Sequence, residues 1–471
     1  MSPEELLLGS AGDIARAVRD DGVPVGAIVA ASLARIDATD GAVNAFTDRT
    51  AGRARVRADV LDALLARGDA ATRALPLLGV PFAVKNLFDV AGLTTRAGSK
   101  IERERPPARV DGPLVARLEA AGAVLVGALT MDEYAYGFTT ENSHDGPTRN
   151  PHDLGRVAGG SSGGSAAAIA AGQVPLTLGS DTNGSIRVPA SLCGVFGLKP
   201  TYGRLPRTGS YPFVASLDHL GPFARDPHDL ALAYDLLQGH DAGDPACTRR
   251  APEPTVGLLG QGSDGLRIAV LGGYFESEAG AEARAAVQKV AAALGAARRC
   301  LLPEADRARA AAFLISNAEG GALHLPDLRR RAADFEPLSR DRFLAGALLP
   351  AAWVLQAQRL RRWLAQRAAE LFRDVDLLIA PATPTVAPEI GTEWLTIGGR
   401  RLPARPSLGL LTQPISFIGL PVCTVPVWGC HPGLPIGVQL IAAPWREDLA
   451  LRAAARLHNA GVATAPVATP P

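Results

Sequence analysis

The chain has 471 residues, of which 48 are lysine or arginine and 47 are aspartate or glutamate. The formal net charge is only +1, and no long block of one sign is present that would attract nucleic acid or an anionic membrane. This length allows two or three average domains or one large α/β domain. Small, neutral or weakly charged molecules are therefore the expected substrates, and neither nucleic acid nor a membrane is an expected partner.

The N-terminus and the cysteines predict a cytoplasmic protein. The first residues, MSPEELLLGSAGD, carry acids where a secretion signal has basic residues, and no apolar run approaches the roughly 18 residues of a membrane span. The five cysteines are scattered without a CxxC pair, which suits reduced thiols. Because the eight histidines show no ligand spacing, we expect neither a metal nor a cofactor.

The first 70 residues or so predict an N-terminal helical region. Ser10 and Asp13 form a capping-box pattern before AGDIARAVRDD, and the later segments VGAIVAASLARIDA and RARVRADVLDALLARG keep the helical period. After this region the pattern changes to short apolar runs bounded by glycine and proline, such as LLGVPFAV, AVLVGAL and VPLTLGS. Runs of this kind, separated by helical segments, are typical of a sheet buried on both faces.

The rest of the chain continues this α/β pattern. LRIAVLGG predicts another strand, the stretch from Glu282 to about Phe372 predicts helices, and DLLIAPATP and GLPVCTVPV predict strands again. We therefore predict one large α/β domain over 1–471, with a central mixed, mostly parallel sheet covered by helices on both faces. Its expected parts are about 1–70 (helical), about 75–235 (core), about 265–372 (mostly helical) and about 373–462 (C-terminal part of the core).

Two runs of small residues stand close together in the predicted core: AGGSSGGSAAA at 158–168 and SDTNGSIRVPAS at 180–191. A tight loop before a closely packed helix would explain either run alone. A phosphate-binding loop is disfavoured, because the spacing of Gly179, Gly184 and Ser185 lacks the required lysine and neither run contains GxGxxG. In the catalytic interpretation, glycines let backbone N–H groups approach a reacting carbonyl, and a serine among them attacks it.

A serine nucleophile needs a base, and Lys85 is the best candidate. His144 and His152 lie in a polar loop, where surface or turn roles are the ordinary interpretation. Lys85 is the only cation in LGVPFAVKNLFDV and ends an apolar run. Burial there would lower the lysine pKa toward neutrality, which would make its amine a usable base.

Together, Lys85, the GGSSGG run at 159–164 and the DTNGSIR run at 181–187 resemble the amidase signature family of Ser–cis-Ser–Lys hydrolases. The resemblance extends through MDEYAYGFTTENSHDGPTRNP, CGVFGLKPTYGR and GLPIGVQLIAAPWRED. It implies that Ser185 is the nucleophile, that Ser161 follows a cis peptide bond and relays protons, and that Lys85 is the terminal base. It also implies an oxyanion hole made by the backbone N–H groups of Thr182, Asn183, Gly184 and Ser185.

The residues around the nucleophile carry further expectations. Asp181 and Arg187 are expected to pair and support the loop. Ser162 and Ser165 are expected to be loop and helix-capping residues. Asn183 stands where most of the family has glycine, so its amide must project toward the substrate or be held by a neighbour.

Two features of the sequence predict the choice of substrate: an acidic residue is absent at one position, and an arginine is present at another. In the glutamine-using members, an acid three residues before a threonine holds the glutamine ammonium; here Gly409 stands three residues before Thr412. The segment SRDRFLAG resembles a basic segment of those members, which implies that Arg342, and less favourably Arg340, binds a carboxylate, although two arginines at a helix start are ordinarily solvated. The resemblance therefore implies a small carboxylated urea such as 1-carboxybiuret, bound by Arg342 and Asn183, with ammonia as a product.

The resemblance also implies an oligomeric enzyme with a small helical accessory subunit. Three other functions stay open from the sequence: a general amidase for small molecules, one chain of a glutamine-dependent amidotransferase, and an inactive family member that acts as a scaffold. A fatty-amide hydrolase is disfavoured, because nothing in the sequence supplies an apolar membrane-facing surface.

Overall fold

A computed structural model describes residues 1–469 of the chain. Its centre is an eleven-stranded sheet, and three two-stranded sheets lie outside it within the described residues. The strands are β1 (Phe46–Arg49), β2 (Pro81–Lys85), β3 (Val124–Leu129), β4 (Glu141–Asn142), β5 (Gly146–Pro147), β6 (Arg149–Asn150), β7 (Asp153–Val157), β8 (Leu176–Asp181), β9 (Phe196–Lys199), β10 (His219–Ala224), β11 (Ile268–Leu271), β12 (Arg298–Cys300), β13 (Leu377–Pro381), β14 (Trp394–Ile397), β15 (Arg400–Pro403), β16 (Val422–His431) and β17 (Leu434–Ala442).

The order of strands across the main sheet is β1-β3-β2-β8-β10-β9-β16-β17-β13-β11-β12. The pairs β2–β3, β2–β8, β11–β12 and β11–β13 are parallel, and the six other neighbouring pairs of the described sheet are antiparallel. The predicted mixed α/β fold is confirmed, but the prediction that most strands run parallel is wrong. Helices cover both faces, so antiparallel strands here carry the same continuous apolar runs as parallel ones.

Helices surround this sheet. In the first half of the chain they are α1 (Pro3–Leu8), α2 (Ala11–Asp20), α3 (Val25–Val43), α4 (Ala51–Ala66), α5 (Ala70–Arg73), α6 (Pro113–Ala120), α7 (Gly163–Ala170), α8 (Arg187–Cys193) and α9 (Pro227–Leu237). In the second half they are α10 (Tyr274–Ser277), α11 (Ala281–Ala293), α12 (Ala305–Arg331), α13 (Pro337–Ala347), α14 (Ala351–Leu371), α15 (Ala404–Ser407), α16 (Gln413–Phe417) and α17 (Glu447–Asn459).

The N-terminal helices begin where the sequence predicts. The Ser10 hydroxyl accepts a hydrogen bond from the Asp13 backbone N–H at 2.9 Å, and the Asp13 carboxylate accepts one from the Ser10 backbone N–H, so the predicted capping box opens α2. One element was not predicted: β1 interrupts the helical region and forms an edge of the main sheet. With only four residues, β1 is too short to show a clear alternating pattern.

The predicted helical region before residue 372 contains the long helices α11, α12 and α14. α12 and α13 pack on each other, and α12 also contacts α16 near the C-terminal strands. α12 also contacts the loop after β8, because the Asn183 side chain donates to Ser316 Oγ at 2.8 Å. No helix among residues 1–469 is long and apolar enough to cross a membrane.

Candidate active site

Lys85 ends β2 inside the protein and is surrounded by serine hydroxyls. Its side chain is fully buried, and its Nζ lies 2.7 Å from Ser161 Oγ, 3.0 Å from Ser162 Oγ and 2.9 Å from Ser180 Oγ. Desolvation lowers the pKa of Lys85 to about 7, although nearby aspartates act in the opposite direction. A large fraction of the amine is therefore neutral near pH 7 and available to accept a proton.

The hydrogen bonds around Lys85 leave two serines that can deliver that proton. A neutral amine has two N–H donors and one lone pair, so one of the three hydroxyls must donate to it. Ser162 Oγ donates instead to the Ser180 carbonyl at 3.1 Å. Ser161 is thus one of two serines that can pass a proton to Nζ, as the proposed relay requires.

The loop that carries Ser161 fits closely against the segment after β3. The Gly160–Ser161 peptide bond is cis, in agreement with the expectation from the sequence. A Cβ at Gly160 would overlap the Asp132 carboxylate, and a Cβ at Gly163 would overlap the Thr140 side chain. The glycines of this run are therefore required by close packing, and Ser161 is held at a fixed position beside Lys85.

Ser185 lies on the loop between β8 and α8, and this loop is buried. The Ser162 N–H donates to the Ser185 carbonyl at 3.3 Å, so the two glycine-serine loops touch. Among the described residues, no hydrogen bond is donated by the backbone N–H groups of the four successive residues Thr182, Asn183, Gly184 and Ser185. Four unpaired donors beside a serine hydroxyl form a suitable environment for a developing oxyanion.

Thr412 holds this loop from the opposite side. Its hydroxyl donates to the Asn183 carbonyl at 2.7 Å, and a Cβ at Gly184, whose φ is +143°, would overlap that hydroxyl. With the Asn183 carbonyl turned toward Thr412, the N–H groups of the loop stay free to face the pocket. In the sequence, Thr412 stands out only by its spacing from Gly409, and no pattern indicates this contact.

Asp181 and Arg187 form a fully buried ion pair below the loop. Arg187 Nε and Nη2 donate to the two carboxylate oxygens at 2.9 and 3.0 Å. Burial alone would raise the pKa of Asp181, but the Arg187 guanidinium holds it well below its usual range. Arg187 also donates to the Thr412 carbonyl, to Gln439 and to Ser416, which ties the loop to the C-terminal part of the sheet.

A small cavity opens in front of Ser185, with about 280 Å³ of empty space that includes open solvent. Its enclosed part is therefore smaller than an ordinary small-molecule site, and a compact substrate fits it best. It is lined by Ala135, Tyr136, Gly137, Phe138, Thr182, Asn183, Ser185, Phe213, Phe313, Arg342 and Gln413. The structure therefore brings Arg342 and Asn183 together with the candidate nucleophile.

Arg342 reaches the cavity from α13. Its guanidinium carbon lies 3.6 Å from the centre of the Tyr136 ring, and Nη1 is 3.4 Å from the Tyr136 carbonyl. No carboxylate forms an ion pair with Arg342 among residues 1–469, and desolvation lowers its pKa from the ordinary value. Arg340, the second candidate, bonds instead to Asp341 at 3.0 Å and does not line the cavity.

Two buried polar atoms of the cavity lining lack a partner within the described structure. The Asn183 amide nitrogen donates to Ser316 Oγ at 2.8 Å, while its Oδ1 has no hydrogen bond. The Tyr136 hydroxyl is also unpaired. Unpaired buried polar groups are costly unless a ligand or water satisfies them, so both atoms indicate polar contacts with a substrate. No sequence signal identified Tyr136.

The ring of Phe138 leaves no space for a side chain at Gly409. A Cβ at Gly409 would overlap the ring of Phe138, which also lines the cavity. An acidic side chain at residue 409 therefore cannot be accommodated unless Phe138 moves. The space that a counter-ion for an ammonium would need is filled by an aromatic ring.

The prediction that Ser162 is a loop and helix-capping residue is only partly right. It occupies the N-cap position of α7 as expected, but its hydroxyl makes no capping bond and instead joins Lys85 to the Ser180 carbonyl. Ser165 bonds to the Leu178 carbonyl at 3.0 Å. No pattern in the sequence predicts the contact of Ser180 with Lys85, although Ser180 stands directly before the DTNGSIR run.

Comparison with known proteins shows the family of this chain. The family model described as Amidase matches residues 27–451. The chain is 63% identical over 433 residues to the AtzE chain of 1-carboxybiuret hydrolase from Pseudomonas sp. (strain ADP), and the match covers 92% of this chain and 94% of that protein. It is 40% identical over 466 residues to a chain of the glutamyl-tRNA(Gln) amidotransferase of Anaeromyxobacter dehalogenans (strain 2CP-C), and this match covers 92% of each.

Solved structures of similar proteins superpose on this chain over almost its whole length. One described as "An unexpected vestigial protein complex reveals the evolutionary origins of an s-triazine catabolic enzyme" superposes with a TM-score of 0.95 at 60% identity, covering 97% of this chain and 99% of that chain. The 6-aminohexanoate cyclic dimer hydrolase complexed with substrate superposes with a TM-score of 0.84 at 30% identity, covering 96% and 97%. The sequence match extends over most of the chain and both structures share its fold: the chain belongs to the amidase signature family and is an amidohydrolase.

Proposed function

We propose that the chain hydrolyses the terminal amide of 1-carboxybiuret and releases ammonia through a seryl acyl-enzyme. The observation that carries the choice of substrate is the guanidinium of Arg342, which lines the same small cavity as Ser185 and has no carboxylate partner among the described residues. A planar guanidinium in this situation favours a substrate with its own carboxylate. The similarity to the AtzE protein supports the same substrate.

In the proposed reaction, Ser185 Oγ forms a bond to the amide carbon. Its proton passes to Ser161 Oγ, and Ser161 passes its own proton to the neutral amine of Lys85. The negative charge that develops on the carbonyl oxygen is stabilised by the unpaired N–H groups of the loop 182–185; one such donor is worth about 3 kcal/mol in other enzymes.

The same relay then runs in reverse. As the carbon–nitrogen bond breaks, the proton held by Lys85 returns through Ser161 to the leaving nitrogen, which departs as ammonia. A water molecule attacks the acyl-enzyme with the help of the same relay, restores the Ser185 hydroxyl and leaves a carboxylate where the amide was. With this one water molecule as the co-substrate, the steps balance.

The cavity supplies contacts for the rest of the proposed substrate. Arg342 donates to its carboxylate, and the unpaired Oδ1 of Asn183 accepts from a urea N–H. The Tyr136 hydroxyl is available to a second polar atom of the planar molecule. These contacts use each of the unsatisfied groups described above, which supports a urea-type substrate over an aliphatic amide.

Glutamine is a poorer candidate for this cavity. Its ammonium would be desolvated without a counter-charge, because Gly409 offers none and Phe138 occupies the adjacent space. Burial of an unpaired charge costs several kcal/mol. The amidotransferase chains are also more distant relatives than the AtzE protein. A scaffold without activity is disfavoured because all three residues of the relay are present.

A panel of amides tests the choice of substrate. We expect ammonia release from 1-carboxybiuret far above that from glutamine, asparagine, acetamide or a fatty amide, measured by a coupled ammonia assay at equal enzyme concentration. In the same assay, Arg342→Ala should raise KM by about tenfold to hundredfold with a smaller change in kcat, because a contact to the substrate carboxylate is made before and during the reaction.

Arg340→Ala is the matched control for this prediction. Arg340 lies on the same helix but outside the cavity, so its variant should retain the parent KM. If glutamine is hydrolysed as efficiently as 1-carboxybiuret, or if Arg342→Ala has the kinetics of the parent, the proposed substrate is wrong.

The proposal includes a small helical accessory subunit. The solved structure at 60% identity is described as a protein complex, which supports an oligomer or a partner chain. We expect that enzyme purified from its native host elutes with a small second chain and that light scattering gives a mass above that of one chain. Detection of only a fully active monomer would contradict this part of the proposal.

We also propose a cytoplasmic location. All five cysteines lie within the described residues and are free thiols. Free thiols that include Cys300 and Cys430, which are partly exposed, suit a reducing compartment.

A further inference from the structure

Asp218 joins two sides of the cavity and has no role in the relay described above. It stands directly before β10, and its side chain is buried. Its Oδ1 accepts a hydrogen bond from Thr182 Oγ1 at 2.6 Å, and its Oδ2 accepts from the backbone N–H groups of Phe213 and Val214 at 2.9 and 3.0 Å. One carboxylate therefore connects the nucleophile loop to the cavity wall that Phe213 forms.

The nucleophile loop needs such attachments because its own backbone provides few. The N–H groups from Thr182 to Ser185 make no hydrogen bonds within the described structure, and Gly184 adds conformational freedom. The loop is held at the Asn183 carbonyl by Thr412 and at the Ser185 carbonyl by the Ser162 N–H. It is also held at the Gly184 carbonyl by the Val188 N–H at 2.7 Å and through the Asn183 side chain, which donates to Ser316. The hydroxyl of Thr182 is a further anchor, and Asp218 is its partner.

We propose that Asp218 is a positioning residue for amide hydrolysis, which holds Thr182 and Phe213 so that the oxyanion-binding N–H groups and the facing cavity wall keep a fixed separation. This inference rests on the proposed function, because it assumes that Ser185 and the loop 182–185 carry the reaction. A displacement of about 1 Å at such a loop can reduce the rate by about a hundredfold.

Asp218 has a second effect, which acts through charge. Three aspartates raise the pKa of Lys85 against the effect of burial: Asp132, Asp218 and Asp181. Asp181 is paired with Arg187 and Asp132 with Arg405. Within residues 1–469, Asp218 forms no ion pair of this kind, so its charge is the least compensated of the three.

The ionisation of Asp218 itself is set by its surroundings. Desolvation raises its pKa to about 6, although the hydrogen bonds from Thr182, Phe213 and Val214 and the charge of Arg207 act in the opposite direction. The carboxylate is therefore mainly ionised at pH 7 and keeps Lys85 protonated to a higher pH. Removing this charge should let Lys85 lose its proton at a lower pH.

Two substitutions separate the hydrogen bond from the charge. Thr182→Val removes the hydroxyl anchor and keeps the carboxylate. Asp218→Asn removes the charge and preserves the contacts, because its amide oxygen can accept from Phe213 and Val214 while its NH2 group faces Thr182. The control is Thr208→Val, which removes a similar threonine-to-aspartate bond, the 2.8 Å contact with Asp241, away from the cavity.

The readouts are kcat and KM for ammonia release and the rate at which a fluorophosphonate labels Ser185, both measured from pH 5 to 10. We expect Thr182→Val to lower kcat and the labelling rate by about tenfold or more at pH 8 and above, where the Asp218 carboxylate stays ionised and the loss is that of the anchor alone. The acid limb of the pH profile is the range in which the rate rises as Lys85 loses its proton. Asp218→Asn should move this limb to lower pH by about half a unit or more. Thr208→Val should behave like the parent.

The labelling assay keeps this inference separate from the choice of substrate. Labelling that persists in Ser185→Ala would refute the nucleophile, and with it the proposed function. Parent-like rates in Thr182→Val, or an unmoved acid limb in Asp218→Asn while Ser185 labels normally, would overturn the role of Asp218 alone. If Thr182→Val does not fold, Thr182→Ser and Thr182→Ala provide the comparison, and the serine variant should label faster because it keeps the hydroxyl.

Discussion

Replacing Ser185 by alanine is expected to reduce ammonia release by at least about 10⁴-fold, because the Thr182 hydroxyl, which also lines the cavity, is bound to Asp218 and does not replace it. Stability should change little, since the Ser185 hydroxyl makes no hydrogen bond within the described structure and the backbone contact to Ser162 is retained. The rate is measured by a coupled ammonia assay, and the fold is checked by circular dichroism and thermal melting.

A matched control is Ser210→Ala, which removes a hydroxyl that bonds to the Arg207 carbonyl outside the reacting loop. This variant should keep the parent rate. A Ser185→Ala enzyme that is folded and loses less than about tenfold in rate would refute the nucleophile assignment.

The second large effect concerns Lys85. Because burial lowers its pKa to about 7, activity should rise with pH through about 7 as the amine loses its proton, and should level off at higher pH. Lys85→Arg is expected to be inactive across this range, since a guanidinium stays protonated and cannot accept a proton from Ser161. The measurement is kcat/KM for ammonia release from pH 5 to 10.

Lys100→Arg serves as the comparison for this substitution. Lys100 is exposed and pairs with Asp334, and an arginine there can keep the ion pair. It should not alter the pH profile. A flat profile from pH 5 to 10 together with an active Lys85→Arg enzyme would show that Lys85 is not the base.

Much of the candidate site could be predicted from the sequence, because its chemistry depends on short local patterns. A lone lysine at the end of a strand is more often a solvated edge residue, and the two glycine-serine runs that accompany Lys85 are what predict a catalytic amine. The structure places Lys85 within hydrogen-bonding distance of Ser161. The two glycine-serine runs predict tight loops, and the loops meet where Ser162 donates to Ser185. The assignment of roles to these residues remains a prediction that the substitutions above test.

Other features depend on contacts between distant segments, which local patterns do not reveal. The direction of strands was predicted incorrectly because burial on both faces produces the same apolar runs in parallel and antiparallel strands. Thr412 meets Asn183 across 229 positions of sequence. The ring of Phe138 excludes a side chain at Gly409, and Asp218 accepts a hydrogen bond from Thr182, but both contacts form only in the folded chain. A single sequence gives no signal for such pairings.

The strand order has a consequence for the synthesis of the protein. The hairpin of β16 and β17 lies between the strands of the first half and those that follow residue 265, and Arg187 beneath the nucleophile loop needs Gln439 on β17 as a partner. Arg187 and Gln439 are 252 positions apart, so at about 5 to 20 residues per second the ribosome adds the second roughly 10 to 50 s after the first. An unfinished chain therefore contains every residue of the relay but lacks the support for its loop. The enzyme gains its activity only when nearly the whole polypeptide has been made, and truncation before β17 should leave a chain that is inert rather than merely less stable.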